Sequence, residues 1–178
     1  MRLVCVCAVS FLFLSCVNRT RYEVIVDEWI GKKIVYPSTL LFTDCKGDTV
    51  DYLFDGKVKI VTYVDSVGCT PCSLKFNEWI VFMNDVKRLT KHDIPLLYAV
   101  LPRDRGEIVQ HCKSGSFCHP LFIDMTDSLN LLNNFPKETV LRTFLVDEKD
   151  NVILVGSPLL NEKIKEMYIE RIRLVFNE

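Results

Sequence analysis

The sequence predicts an α/β domain: a central mixed sheet with helices on both faces. Three observations lead there. Residues 58–64, an apolar run rich in β-branched side chains, and residues 94–101, almost continuously apolar, have the pattern of strands buried on both faces. A long helical pattern runs from Cys72 to about Leu89 between them, and a shorter one over residues 104–112 follows, so strands alternate with helices. Residues 142–146 and 152–155, joined through 147–151, then read as a closing hairpin that adds antiparallel strands.

The amino terminus is a targeting segment. Arg2 carries a positive charge, residues 3–14 are almost wholly apolar, and Ser15 and Cys16 follow. This run is too short to span a bilayer, which takes about 20 residues, and it matches the apolar region of a secretory signal. Phe13-Leu14-Ser15-Cys16 resembles the cleavage motif of bacterial lipoproteins, with Phe13 where leucine is usual. That resemblance implies a signal peptide over residues 1–15 and a lipid on Cys16, which becomes the first mature residue. The chain is then held on a membrane outside the cytoplasm, facing the periplasm or the cell surface. A plain signal peptide cut nearby is the alternative and gives a soluble exported product. Residues 16–30 are expected to form a polar tether that ends in a short strand at 22–26, and residues 31–178 a single folded domain. No later segment is long and apolar enough to span a membrane. With 22 Lys and Arg against 23 Asp and Glu, the net charge of −1 does not suggest nucleic-acid binding.

Within the domain, residues 34–37 read as a leading strand closed by Pro37. Residues 40–42 and 50–53 flank the turn-rich set 44–48 and are expected to pair as a hairpin. Residues 55–57 make a second turn before the buried strand. In the long helix, Phe76, Ile80, Met83 and Val86 recur at helical spacing, with Trp79, Val81 and Phe82 widening the face that packs on the sheet. His92 is expected to cap the C-terminal end of that helix. Residues 113–116 read as a loop, 120–124 as a short strand and 128–134 as a short helix. A last amphipathic helix starts near Asn161, with Ile164, Tyr168, Ile172 and Val175 on one face and a solvated, charged outer face.

The chemistry concentrates at Cys69-Thr70-Pro71-Cys72, where the first buried strand turns into the long helix. Unpaired N–H groups and the macrodipole at a helix N-terminus favour an anion, and the reactive form of cysteine is the thiolate. Residues three apart in a helical turn lie about 5–6 Å from each other, inside the range of about 4.4–6.8 Å between the Cα atoms of a disulfide. The pair can therefore open and close with little backbone movement. Pro71 fixes φ in the first helical turn, where its missing N–H costs nothing, and Thr70 is small and leaves access.

The chain holds eight cysteines. Cys5 and Cys7 leave with the signal and Cys16 takes the lipid. Cys45, Cys69, Cys72, Cys112 and Cys118 remain, an odd number, so at least one is unpaired within the chain. Export permits disulfides. His111-Cys112 and Cys118-His119 bracket a loop; a Cys112–Cys118 disulfide, unpaired thiols and a zinc site from the four side chains are the alternatives, although this spacing matches no standard zinc pattern. Cys112 would also serve as a resolving thiol for Cys69 if the loop folds over the site. Cys45, in a turn, is expected to be buried as a small apolar residue.

The order of elements resembles the thioredoxin fold: strand, CxxC helix, strand, hairpin, closing helix. The leading hairpin and the inserted helix–strand–helix at 104–134 are similar to those of the tethered TlpA/ResA-type thiol–disulfide oxidoreductases, an arrangement shared with the peroxiredoxins of the AhpC/TSA group. Pro120-Leu121-Phe122-Ile123-Asp124 and Thr143-Phe144-Leu145-Val146-Asp147 look like the segments these proteins carry in the same places. The resemblance implies thiol–disulfide exchange on extracytoplasmic proteins, with Cys69 as nucleophile and Cys72 as resolving thiol. It also implies protein thiol and disulfide substrates and a partner protein that donates or accepts electrons, with no cofactor and no metal. Three positions depart from the pattern. Leu141 stands where thioredoxins place a cis-proline, and a cis bond before a non-proline residue costs about 2.5–4 kcal/mol, so it is expected to be trans. Tyr63 stands at the position of the buried acid, and Gly68 where a tryptophan usually precedes the CxxC.

Two other functions are compatible with these residues. A non-catalytic thioredoxin-like binding module of an envelope assembly would hold Cys69–Cys72 as a structural disulfide, and the loss of the cis-proline favours it. A peroxiredoxin-like peroxidase would need a Pro-x-x-x-Thr-x-x-Cys context, but Thr62 occupies the proline position and Ser66 that of the threonine. There is no Gly-rich phosphate loop, HExxH or Gly-x-Ser-x-Gly, so nucleotide use, zinc proteolysis and serine hydrolysis have no support.

Overall fold

A computed structural model describes residues 19–65, 74–115 and 117–177. Its sheet is built from β1 (Phe42–Thr43), β2 (Thr49–Val50), β3 (Val58–Val64), β4 (Leu96–Val100), β5 (Leu121–Ile123), β6 (Thr143–Asp147) and β7 (Val152–Val155), in the order β2-β1-β5-β4-β3-β6-β7. The strands β3, β4 and β5 run parallel, and the remaining pairs are antiparallel. The helices are α1 (Arg21–Trp29), α2 (Phe76–Thr90), α3 (Arg105–Gly115), α4 (Ser128–Asn133) and α5 (Glu162–Phe176), with a short 3-10 turn at Thr139–Leu141.

The α/β class and the mixed sheet are as expected, and so is the reason for the apolar runs. Along β3, Val58 and Ile60 enter one core while Val61 and Tyr63 enter the other; along β4, Leu96, Tyr98 and Val100 alternate with Leu97 and Ala99 in the same way. The first core is closed by α2, α3 and α5, through Phe76, Trp79, Phe82, Ile108, Tyr168 and Ile172. The second is closed by Trp29 of α1 and Leu129 of α4, with Phe135 and Leu141; the Trp29 ring stacks on Phe144 at 4.7 Å.

Four local expectations change. Residues 22–26 are not a strand: they lie in α1, which starts at a capping box in which Thr20 and Glu23 satisfy each other's backbone N–H groups. Burial of Trp29 then fixes this helix against the domain. Residues 34–37 form no strand, and only Lys33 bridges to Asn151 there. Residues 113–115 extend α3 rather than beginning a loop. His92 is not the cap of α2. Lys91 takes that place in the left-handed conformation (φ 58°), and the His92 ring stacks on Phe176 at 3.7 Å, joining the ends of α2 and α5. The expected hairpin at 40–53 is present but shorter, since only Phe42–Thr43 and Thr49–Val50 pair. Among the described residues, no helix is long and apolar enough to cross a membrane.

Candidate functional site

Cys69, Thr70, Pro71 and Cys72 lie outside the described residues, as do Gly68 and Cys16. The residues on either side of the CxxC segment are well tied. Where β3 ends, Leu101 N–H donates to Val64 O at 2.8 Å, and Tyr63 N–H donates to Arg142 O at 3.0 Å. On the far side, the buried Tyr98 hydroxyl donates to Leu74 O, and Lys75 leads into α2 from a left-handed conformation (φ 48°). Burial pushes the Tyr98 hydroxyl well above its ordinary pKa, so it stays a neutral donor.

Between these two arms opens a cleft of about 320 Å³. Its described walls include Thr62 to Asp65 from β3 and its end, Lys75 and Trp79 from the start of α2, Val140 and Arg142 from the loop before β6, and Ser157, Leu159 and Leu160 after β7. Thr62 and Thr143 share a buried hydroxyl–hydroxyl hydrogen bond of 2.9 Å across β3 and β6. Asp65 and Arg142 form an ion pair of 2.5 Å at the wall. Arg142 also donates from Nε to Pro136 O at 2.6 Å and from Nη2 to Lys137 O at 3.0 Å, and it lies over the Tyr63 ring. The guanidinium thus ties the loop to the end of β3.

Leu141 is buried and closes the 3-10 turn, and no cis peptide bond occurs among the described residues, as expected for this position. The backbone of the loop is already engaged: Leu141 N–H donates to Glu138 O, Arg142 N–H donates to Thr139 O, and Val140 O accepts from Ser157 N–H. Tyr63 lines the cleft, but its hydroxyl is already engaged. Its hydroxyl donates to Asp127 Oδ1 at 2.5 Å, and burial followed by this contact raises its pKa above the ordinary range.

Of the three remaining cysteines, two come into contact, and they are not the Cys112 and Cys118 considered as one alternative above. Cys118 Sγ lies 2.6 Å from Cys45 Sγ. Cys112 is buried on the inner face of α3, one turn beyond Ile108. Burial, and then the neighbouring Cys45 and Cys118 sulfurs, push its thiol up to about 12. This makes Cys112 a poor resolving thiol. The arrangement has a simple cause: Ile108 and Cys112 are four apart, so Cys112 belongs to the apolar stripe of α3, while the β1–β2 turn delivers Cys45 to Cys118. Cys45 itself is half-buried rather than buried. The two histidines are engaged elsewhere: His119 Nε2 contacts Leu96 O at 2.8 Å, and the His111 ring lies against Phe76. Among the described residues, no three His, Cys, Asp or Glu side chains are arranged to hold a metal.

The strand order, the parallel β3-β4-β5 core, the antiparallel hairpin β6–β7 and the helix that follows β3 decide the fold. The fold is thioredoxin-like. No protein-family model matches the sequence, and no curated protein matches it. Solved structures do match. A candidate protein disulfide isomerase from Bacteroides thetaiotaomicron is 18% identical, with 84% of this chain and 91% of that chain covered and a TM-score of 0.57. A candidate thiol:disulfide interchange protein DsbE from Chlorobium tepidum is 19% identical, with 82% and 96% covered and a TM-score of 0.54. StoA from Bacillus subtilis is 17% identical, with 74% and 99% covered and a TM-score of 0.51.

Sequence reasoning missed Arg142, Asp65 and Asp127. Arg142 left one signal, a lone cation immediately before an apolar strand. Asp65 and Asp127 left none, because their partners are 77 and 64 residues away.

Proposed function

We propose that this chain carries out thiol–disulfide exchange on protein disulfides or dithiols through Cys69 and Cys72, outside the cytoplasm. One observation supports this most: in a thioredoxin-like sheet, the CxxC segment is the connection from β3 to α2, and the described residues at both its ends wall a single cleft. Cys69 as thiolate attacks a substrate disulfide and displaces one sulfur as a thiol. Cys72 then attacks Cys69, closes the Cys69–Cys72 bond and releases the second substrate thiol. Lys75, three residues beyond Cys72, brings positive charge to the cleft, which favours a thiolate, whereas the charge of Arg142 is balanced by Asp65. Because the loop backbone before β6 is engaged internally, substrate contacts in the cleft fall to side chains, among them the exposed Val140 of that loop and Leu160 beyond β7.

The motif at Cys16 supports attachment to a membrane through a lipid, and the apolar run before it supports an extracytoplasmic setting. A partner protein would recharge the pair. The binding-module reading keeps one specific observation in its favour, the trans peptide and 3-10 turn at Leu141. Trapping separates the two. With a disulfide-bonded substrate protein, the Cys72→Ser variant should accumulate a mixed disulfide at Cys69, and the wild type should turn the substrate over with a small dithiol as reductant. Neither adduct nor turnover with several substrate proteins would leave the binding module.

A further inference from the structure

The β1–β2 turn and the segment before β5 bring together two cysteines that lie 73 residues apart in the chain. Cys118 is exposed, Cys45 is half-buried against the first core, and their sulfurs are 2.6 Å apart. We propose that Cys45 and Cys118 form a second thiol–disulfide couple, separate from Cys69 and Cys72, that is oxidised by a small disulfide such as oxidised glutathione. The couple does not depend on the function proposed above.

Exposure assigns the roles. The Cys118 thiolate attacks one sulfur of glutathione disulfide, a Cys118–glutathione bond forms, and the other glutathione leaves as a thiolate. The Cys45 thiolate then attacks Cys118 Sγ, the Cys45–Cys118 bond forms, and the second glutathione leaves. Two electrons pass from the two cysteines to the glutathione disulfide, and the two cysteine protons end on the two released glutathione thiols. A disulfide bond is about 2.05 Å long, so its closure takes about half an ångström of sulfur movement. Cys112, though close by, does not compete, because it is buried against the core on α3 where a glutathione disulfide does not reach it.

The position gives the couple a consequence. At this edge of the sheet, β1 and β2 are two residues each. Besides its strand pairing, the hairpin is held by Arg105 Nη2, which donates to Thr43 Oγ1 and to Gly47 O, each at 3.3 Å. Gly47 turns with φ 96°, and a side chain there would meet Val109 at 3.1 Å. Closing Cys45–Cys118 fastens the tip of this hairpin to the chain that enters β5, so the oxidation state of the surroundings is written into the sheet edge.

Trypsin separates Cys45, Cys112 and Cys118 from one another and from the Cys69 and Cys72 pair. Cys45 falls in residues 34–46, Cys69 and Cys72 in 60–75, Cys112 in 106–113 and Cys118 in 114–137. The full chain carrying Cys69→Ser and Cys72→Ser, in mild detergent, would be treated with oxidised glutathione, alkylated, digested and analysed by mass spectrometry. The expected product is peptide 34–46 linked to 114–137, with Cys112 alkylated only after denaturation. Adding Cys45→Ser should stop the reaction at one glutathione on Cys118, and adding Cys112→Ser should change nothing. Circular dichroism checks that each variant is folded. A Cys112–Cys118 link, free Cys45 and Cys118 after oxidation, or no glutathione on Cys118 in the Cys45→Ser variant would overturn the proposal.

Discussion

Arg142→Met tests what holds the described part of the cleft together. Methionine keeps much of the stem and removes the guanidinium, and with it the ion pair to Asp65 and the donors to the Pro136 and Lys137 carbonyls. The Arg142 and Asp65 side chains are 12% and 16% exposed. They lie between a surface pair, worth about 0.2–1 kcal/mol, and a buried one, whose rupture costs about 3–5 kcal/mol. Unit charges about 4 Å apart attract by about 4 kcal/mol at an effective dielectric of about 20, and desolvation cancels roughly half of this. The coupling between Asp65 and Arg142 should therefore be about 2 kcal/mol. The two carbonyl hydrogen bonds add about 1 kcal/mol each, so Arg142→Met should cost about 3–4 kcal/mol in all. For a domain of this size, that lowers Tm by about 6–16 °C. Unfolding of the wild type, Asp65→Asn, Arg142→Met and the double variant, followed by circular dichroism, closes the thermodynamic cycle. A coupling below about 0.5 kcal/mol would refute the argument that this pair ties the loop to the end of β3.

Three further outcomes are expected. Burial alone would raise the Asp124 carboxyl, but hydrogen bonds from Leu129 N–H and from the Ser128 and Thr126 hydroxyls hold it below its ordinary value. Its contribution is thus present above the unfolded pKa of about 3.9 and is lost as pH falls through the lower folded value. Asp124→Asn should cost about 1–2 kcal/mol at pH 7, with the gap narrowing below about pH 3 in acid unfolding; a gap independent of pH would contradict this. Cys112 should resist alkylation in the folded chain at pH 8, while Cys118, in the reduced protein, reacts; equal rates by peptide mapping would show that Cys112 is accessible. Thr20→Ala should destabilise α1 by about 1 kcal/mol and speed amide exchange over residues 23–29, and unchanged exchange would mean that the capping box does not hold the helix.

The parts of the fold legible in the sequence are those written in local periodicity. β3 and β4 announce themselves because both their faces are buried, and α2 because its stripe is long. The first helix was also legible in principle: Thr20 and Glu23 have the capping-box spacing, but the polar composition of the segment suggested a tether. The hairpin shrank to two-residue strands because pairing length depends on neighbours that the sequence does not display. Around the cleft, the sequence located the connection from β3 to α2 and the trans peptide before Leu141. It could not show the Asp65–Arg142 pair or the Tyr63–Asp127 contact, which join distant elements. The cysteines make the same point. Cys112 and Cys118 are close in sequence, but helix direction turns one into the core and leaves the other at the surface, where a hairpin turn supplies Cys45.

The central claim is that Cys69 and Cys72 are an exchanging pair. It is tested most directly by their reduction potential, with peptide 60–75 followed by alkylation and mass spectrometry in graded thiol–disulfide buffers. A potential between about −270 and −120 mV, with Cys69 alkylated before Cys72, is the predicted result, and the value within that range tells reductant from oxidant. A potential well below about −300 mV would make the pair a structural disulfide and contradict the exchange function.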